Sequence, residues 1–261
     1  MANVTVEQSK TPLTAFKVLS FDIYGTLIDW ESGIYNAVVE SAPFASLPAD
    51  SPQRDRRTIL EQYEHHERKI EHANPGMEYA TLLAEVYKGI ASSLAPPSAP
   101  SSSELSAAAE TFSKAIKDWP AFADTLAALR TLQQHYKLVP LSNSSPATFG
   151  ASLAGPFEGF AFDAVYLAGD IGSYKPDRRN FEYLIDHVKA DFGVDKDRIL
   201  HVAQSLHHDH VPATEFGLAR CWVDRSGVMG VPVGKVSVHW EVKTLGELAN
   251  LVEEAFAEDK A

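Results

Sequence analysis

The chain has 261 residues, of which 45% are hydrophobic and 22% charged, a composition that supports a packed core and excludes a disordered chain. Its net charge of −12 excludes the basic footprint of a nucleic-acid binder, and no apolar run is long enough to span a bilayer. A single cysteine, Cys221, rules out an intramolecular disulfide, and its setting in Ala219-Arg220-Cys221-Trp222-Val223 reads as buried strand rather than as a nucleophile.

In chain order, the stretch from Met1 to Lys10 lacks the apolar centre of a secretory signal, so a cytoplasmic location is expected. Phe16–Phe21 is a short apolar run of the kind that forms a buried parallel strand. From about Gly33 to Trp119 no strand candidate occurs. Helical patterns there cover Thr58–His72, Tyr79–Ser92 and Glu104–Lys117, and the Ser-, Pro- and Ala-rich stretch Ala91–Ser103 reads as a surface loop or linker. Leu126, Leu129 and Leu132 share one helical face ahead of a second strand, Leu138–Leu141, and Ala161–Leu167 is the third. Phe181, Leu184, Ile185 and Val188 have the spacing of an amphipathic helix, and Ile199–Ala203 and Arg220–Val223 are further strands. Leu245, Leu248, Val252 and Ala255 mark a last helix, which Thr244 and Glu247 begin as a capping box. Alternating strands and helices predict an α/β fold, a doubly wound parallel sheet with helices on both faces. Residues 33–119 read as an all-helical insertion, leaving 1–32 and 120–261 for the sheet domain.

In open α/β sheets ligands sit beyond the carboxyl ends of the strands, so the residues following each strand are the ones to inspect. The first strand is followed by Asp22-Ile23-Tyr24-Gly25-Thr26-Leu27 and the second by Ser142-Asn143-Ser144. The third leads to Gly172-Ser173-Tyr174-Lys175-Pro176-Asp177 and the fourth to Gln204-Ser205-Leu206-His207-His208-Asp209. Asp-x-x-Gly-Thr-Leu, then Leu-Ser-Asn, then Lys-Pro-Asp, then Ser-x-x-x-Asp, in this order, resembles the haloacid-dehalogenase-like (HAD) superfamily across the whole sheet domain. Asp-Ile-Tyr-Gly-Thr is similar to its 2-haloacid dehalogenase branch. The resemblance implies a Rossmann-like core, a helical cap at 33–119 and a nucleophile at Asp22.

Tyr24 bears on the chemistry. Phosphatases of the superfamily carry a second aspartate at this position, which protonates a departing alkoxide. A tyrosine with a pKa of about 10 replaces it poorly, whereas halide leaves as an anion and needs no proton. A carboxylate can displace halide directly, forming an ester that water then hydrolyses. Gln204 stands where those phosphatases hold an acidic Mg²⁺ ligand, so no metal or other cofactor is expected. In this reading Lys175 neutralises and orients Asp22 and Asp209, Thr26 holds the Asp22 carboxylate, and Ser142 and Asn143 hydrogen-bond the nucleophile or the substrate carboxylate. Asp209 positions the hydrolytic water, and Tyr24, Gln204 and Ser205 face the substrate. An arginine early in the cap is implied for the substrate carboxylate; Arg57 has the matching spacing, with Arg54 and Arg56 as alternatives. The chain departs from the branch at Gln204, Leu206 and Phe181, where Ser, Asn and Tyr are usual.

Plainer readings stand beside these. Asp22 and Asp209 could cap helices, Lys175 could be an ordinary exposed lysine, and Arg57 a solvated cap residue. His207, His208, Asp209 and His210 invite a zinc site, but neighbouring residues diverge and the spacing is unusual for zinc, which favours a polar active-site loop. The expected partner is a small carboxylic acid, with no nucleic acid and no membrane; a homodimer is allowed without its face being specified. The alternatives are a Mg²⁺-dependent phosphatase acting on a small phosphorylated metabolite, and a non-catalytic binding protein on the same fold.

Overall fold

A computed structural model of the chain describes residues 3–74, 77–94, 101–225 and 233–259. In chain order, β1 (Asn3–Val6) and β2 (Val18–Phe21) precede the helices α1 (Trp30–Val39), α2 (Ala42–Ala45), α3 (Arg56–Ala73), α4 (Tyr79–Leu94) and α5 (Ser102–Ser113). Next come α6 (Thr125–Leu132), β3 (Lys137–Ser142), α7 (Pro146–Ala154), β4 (Tyr166–Leu167), α8 (Ala168–Ile171), α9 (Arg178–Phe192) and β5 (Ile199–Ala203). The chain finishes with α10 (Val211–Glu215), β6 (Ala219–Val223), β7 (Lys235–Val238), β8 (Trp240–Val242) and α11 (Leu245–Glu258).

Six strands form a parallel sheet in the order β4-β3-β2-β5-β6-β8, so β2, which leads into Asp22, is central. β2 and β5 are fully buried along their length, as strands covered on both faces must be. On one face Val18, Val139, Leu141 and Ile199 pack against Phe181, Leu184 and Val188 of α9. Leu19, Leu138 and Leu200 alternate to the other face and are equally buried. This is the α/β architecture that the alternating pattern predicts. Residues 161–167 depart from it, because only Tyr166–Leu167 forms strand. Upstream, Asp163 occupies the edge of β3 instead: its backbone N–H donates to Leu138 O, its carboxylate accepts from Leu138 N, and Lys137 pairs with it at 2.7 Å. Three short strands escaped the sequence reading. β1 pairs with β7 in a separate two-stranded parallel sheet, and β8 adds to the edge of the main one.

At the start of α11 the Thr244 hydroxyl accepts from Glu247 N, as expected. The Glu247 carboxylate, however, takes the N–H of Lys243 rather than that of Thr244. The chain leaves and re-enters the sheet unit at adjacent points, tied by an Ile28–Ala121 bridge and by the Phe122 N–H and Thr125 hydroxyl on Leu27 O.

Two compact units result. The sheet unit comprises Met1–Asp29, Ala121–Pro146 and Gly159–Ala261; the helical unit comprises Trp30–Pro120 and Ala147–Glu158. Within the helical unit α4 packs against both α3 and α5, burying Leu82, Leu83, Val86, Tyr87 and Ile90 on one face. The stretch Ala91–Ser103 is not one loop: Ala91–Leu94 continue α4, and Ser101 forms a full capping box with Glu104 to start α5. The part of it at 95–100 lies outside the described residues.

Candidate active site

Asp22 continues β2 by donating its N–H to Val202 O at 3.1 Å, and the chain then turns sharply. The Ile23 carbonyl accepts from Thr26, Leu27 and Ile28, and Gly25 at φ 93° supplies the left-handed step that a side chain would resist. The turn brings Thr26 back, so its hydroxyl donates to Asp22 Oδ2 at 2.8 Å while accepting the Gln204 N–H at 2.9 Å. The other oxygen, Asp22 Oδ1, accepts from Lys175 Nζ at 2.9 Å. Both carboxylate oxygens are therefore held.

Lys175 is 3% exposed, so the ordinary surface reading of this lysine does not apply. Its ammonium also donates to Asp209 Oδ1 at 2.7 Å and to Leu141 O at 2.8 Å, which accounts for all three N–H bonds. Burial opposes its charge, yet Asp209 and Asp22 outweigh that and raise its pKa above the ordinary lysine value. Asp209 is likewise buried against its charge, and Lys175 and His201 hold its carboxyl below the usual range. A buried ion pair of this kind is weak evidence for stability, since desolvation consumes much of its attraction. Its value is positional, because the ammonium fixes two carboxylates in one place. Asp209 itself sits on a single π-turn, Leu206–His210, an arrangement that is rare in helices and frequent at functional sites.

The remaining expected residues are placed differently from one another. Ser142 is 1% exposed at the end of β3, and its hydroxyl has no protein partner. Asn143 contributes indirectly: its amide accepts from Lys175 N at 2.6 Å and donates to Lys175 O at 2.9 Å, clamping the lysine's backbone. Gln204 meets the cluster through its backbone, with its carbonyl accepting from Trp222 Nε1, and Ser205 caps the π-turn by accepting from His208 N. Tyr24 is half-buried, bridged through its backbone to Ile28. Arg57 is a residue of the other compact unit. It has 86% of its side chain exposed and pairs with Glu61 one turn on, the environment of a solvated surface residue. Of its alternatives, Arg56 pairs with Glu31 and Arg54 donates to Leu47 O.

Two contributors went unnoticed in the sequence. His201 in β5 bonds Asp209, although a histidine inside an apolar strand run carried a detectable signal. Arg225 donates twice to Thr26 O, at 3.1 and 3.0 Å, pairs with Asp124 at 2.7 Å and stacks on Phe122 at 4.0 Å. No local pattern announced it, because its partners come from two distant segments, at Thr26 and at 122–124. Cys221 is buried, which pushes its thiol pKa up and agrees with a core role.

The order of these strand-end residues along the chain matches a known profile. The profile of the haloacid dehalogenase-like hydrolases aligns with residues 16–203, spanning the candidate nucleophile, the lysine and the end of β5. The chain belongs to that family of hydrolases. Among solved structures it is similar to an L-2-haloacid dehalogenase from Xanthobacter autotrophicus with chloropropionic acid covalently bound. That pair is 20% identical with a TM-score of 0.65, covering 91% of this chain and 98% of the other. A defluorinating L-2-haloacid dehalogenase gives a TM-score of 0.69 at 19% identity, covering 95% and 100% of the two chains. A HAD hydrolase from Bacillus subtilis bound to magnesium gives 0.65 at 17%, covering 91% and 98%. These likenesses establish the shared fold. No curated protein sequence matches the chain.

Proposed function

We propose that this hydrolase displaces a leaving group, most simply halide, from the α carbon of a small 2-substituted carboxylic acid, using Asp22 as a nucleophile. The observation that carries the reading is the tethering of Asp22: Lys175 and Thr26 each hold one oxygen of a carboxylate that is 7% exposed. A carboxylate fixed in this way has little rotational freedom to lose on reaching the transition state. In the first step an Asp22 oxygen forms a bond to the α carbon as the carbon–halogen bond breaks, and halide departs with the bonding pair. In the second, water attacks the ester carbonyl of Asp22 and gives a proton to Asp209. The carbonyl–alkoxide bond breaks, the proton on Asp209 passes to the departing 2-hydroxy acid, and the second water proton leaves Asp22 for solvent, which regenerates the carboxylate.

A resident magnesium ion, as the Bacillus relative carries, does not fit this donor set. The ammonium of Lys175 already links Asp22 and Asp209, and position 204 offers glutamine rather than a further acid. Among the described residues no group of three or more His, Cys, Asp or Glu side chains converges on a metal position. We therefore propose metal-independent turnover, with Tyr24 standing where a phosphatase would hold the acid that protonates the alkoxide leaving phosphorus.

Halide release from each enantiomer of 2-chloro- and 2-bromopropionate, measured in EDTA, tests the reading. Wild type is expected to release halide, and Asp22→Asn to release it more than about a thousandfold more slowly. Release that persists in Asp22→Asn, or phosphate release that requires Mg²⁺ in place of halide release, would overturn it.

A further inference from the structure

We propose that His201 is a positioning residue that aims Asp209 at the hydrolytic water. The inference rests on the aspartyl-ester reading above and assigns a part of its second step to a residue outside the family's strand-end motifs.

His201 lies in a strand whose other members are Ile199, Leu200, Val202 and Ala203, all buried. An imidazole in that setting is costly unless both nitrogens are satisfied, and here both are. Directly across the ladder is Ser20 of β2, its register partner, with Ser20 Oγ 2.5 Å from His201 Nδ1. His201 Nε2 lies 2.9 Å from Asp209 Oδ1. The two central strands thus each place one polar side chain at the same level, and the pair leads to the active-site acid.

The network assigns the protons. A carboxylate only accepts, so Nε2 carries hydrogen and donates to Asp209, while Nδ1 shares a hydrogen bond with the Ser20 hydroxyl. Lys175 also donates to Asp209 Oδ1, at 2.7 Å. One oxygen of Asp209 therefore takes two N–H donors, while Oδ2 is buried with no partner. With Lys175 alone, rotation about the Cβ–Cγ bond would exchange the two oxygens. The second donor breaks that equivalence and leaves Oδ2 as the unencumbered, more basic oxygen. Phe181 meets the His201 ring edge-on at 5.3 Å and stacks on Phe216 at 6.1 Å, fixing the imidazole.

In the second step a proton passes from water to Asp209 Oδ2, and then to the alkoxide as the ester's C–O bond breaks. His201 neither gains nor loses a proton. The first step, attack of Asp22 on carbon, does not use Oδ2. Loss of His201 should therefore slow hydrolysis of the ester and spare its formation.

Rapid-quench halide release and intact mass of the acid-quenched protein separate the two steps in wild type, His201→Leu, His201→Gln and Ser20→Ala. His201→Leu is expected to release a first equivalent of halide at the wild-type rate and then turn over about tenfold or more slowly, with KM falling alongside kcat. The ester mass on Asp22 accumulates as a consequence. His201→Gln, whose amide N–H reaches a similar point, should recover much of kcat, and Ser20→Ala should fall between. If His201→Leu does not fold, the same burst-to-turnover comparison is read from the other two variants. First-turnover and steady-state rates that fall together, or that stay unchanged, overturn the assignment of His201 while leaving the ester reading intact. Wild type that forms neither halide nor ester overturns both.

Discussion

His210 follows Asp209 and is fully buried, with Nε2 bonded to Ala203 O at 2.9 Å and Nδ1 without a protein partner. Burial lowers its pKa to about 4, against a partial opposing effect from the bond to Ala203. The folded protein thus keeps the ring neutral over a range in which the unfolded chain, with its pKa near 6.5, takes up a proton. This contribution to stability is complete above about pH 6.5, declines as pH falls, and levels off below about 4, a loss on the order of 3 kcal/mol. Urea unfolding of wild type and His210→Leu at about pH 7 and about pH 4.5 checks the sign. Wild type should lose more stability than the variant between the two conditions; equal losses would show that this ring does not titrate on unfolding. Among the other residues, Asp22, Thr26, Lys175 and Asp209 meet through side chains, as their motif order implied. Asn143 instead serves the lysine's backbone, a role that depends on which loop lies opposite β3 and so left no mark in Leu-Ser-Asn.

At the scale of elements, a strut joins the nucleophile turn to the last helix. Arg225 grips the Thr26 carbonyl, and its partner Asp124 accepts the N–H groups of Leu245 and Gly246 at 2.7 and 3.1 Å, satisfying the start of α11. Burial raises the Asp124 pKa but the Arg225 bond and charge outweigh it, and the net shift is downward. Asp124→Ala removes the helix-start acceptor and leaves a buried guanidinium unpaired, so a destabilisation of about 3 kcal/mol is expected from urea midpoints at neutral pH. A loss below about 1 kcal/mol would mean that water replaces the carboxylate in both duties. The long helices were legible because each buries one stripe against its neighbours, giving a period that sequence displays. β1, β7 and β8 were not, since strands of three or four residues offer too few alternations to distinguish from loop.

The whole molecule separates into a sheet unit and a helical unit, and the division does not follow the insertion alone. Residues 147–158, which come after β3, cluster with the helical unit. Gly155 shows why that segment is constrained: a Cβ there would stand 1.8 Å from the Lys117 carbonyl oxygen, a backbone atom. Gly155→Ala should therefore lower stability by roughly 1–3 kcal/mol. Gly150→Ala in α7, where nothing lies within 4 Å, should be neutral or stabilising by up to about 1 kcal/mol. Thermal melts of both variants test this; a Gly155→Ala protein that melts with wild type would show the close approach to be relaxed in solution. No helix among the described residues is long and apolar enough to cross a membrane, in line with the absence of any such run in the sequence.

Legible in the amino-acid order alone were the α/β alternation and four of the interacting side chains, Asp22, Thr26, Lys175 and Asp209, whereas the central place of the strand before Asp22 emerged only with the sheet. The side chains were readable because strand ends in such sheets converge, and because the motif is a local string that must make one tight turn around Gly25. Which groups hold that string in place emerges only from the folded arrangement. His201, Ser20 and Arg225 act across strands and from distant segments. Hydrogen bonds between residues far apart in the chain depend on register and on what each partner leaves unsatisfied, quantities that exist only once the sheet has formed.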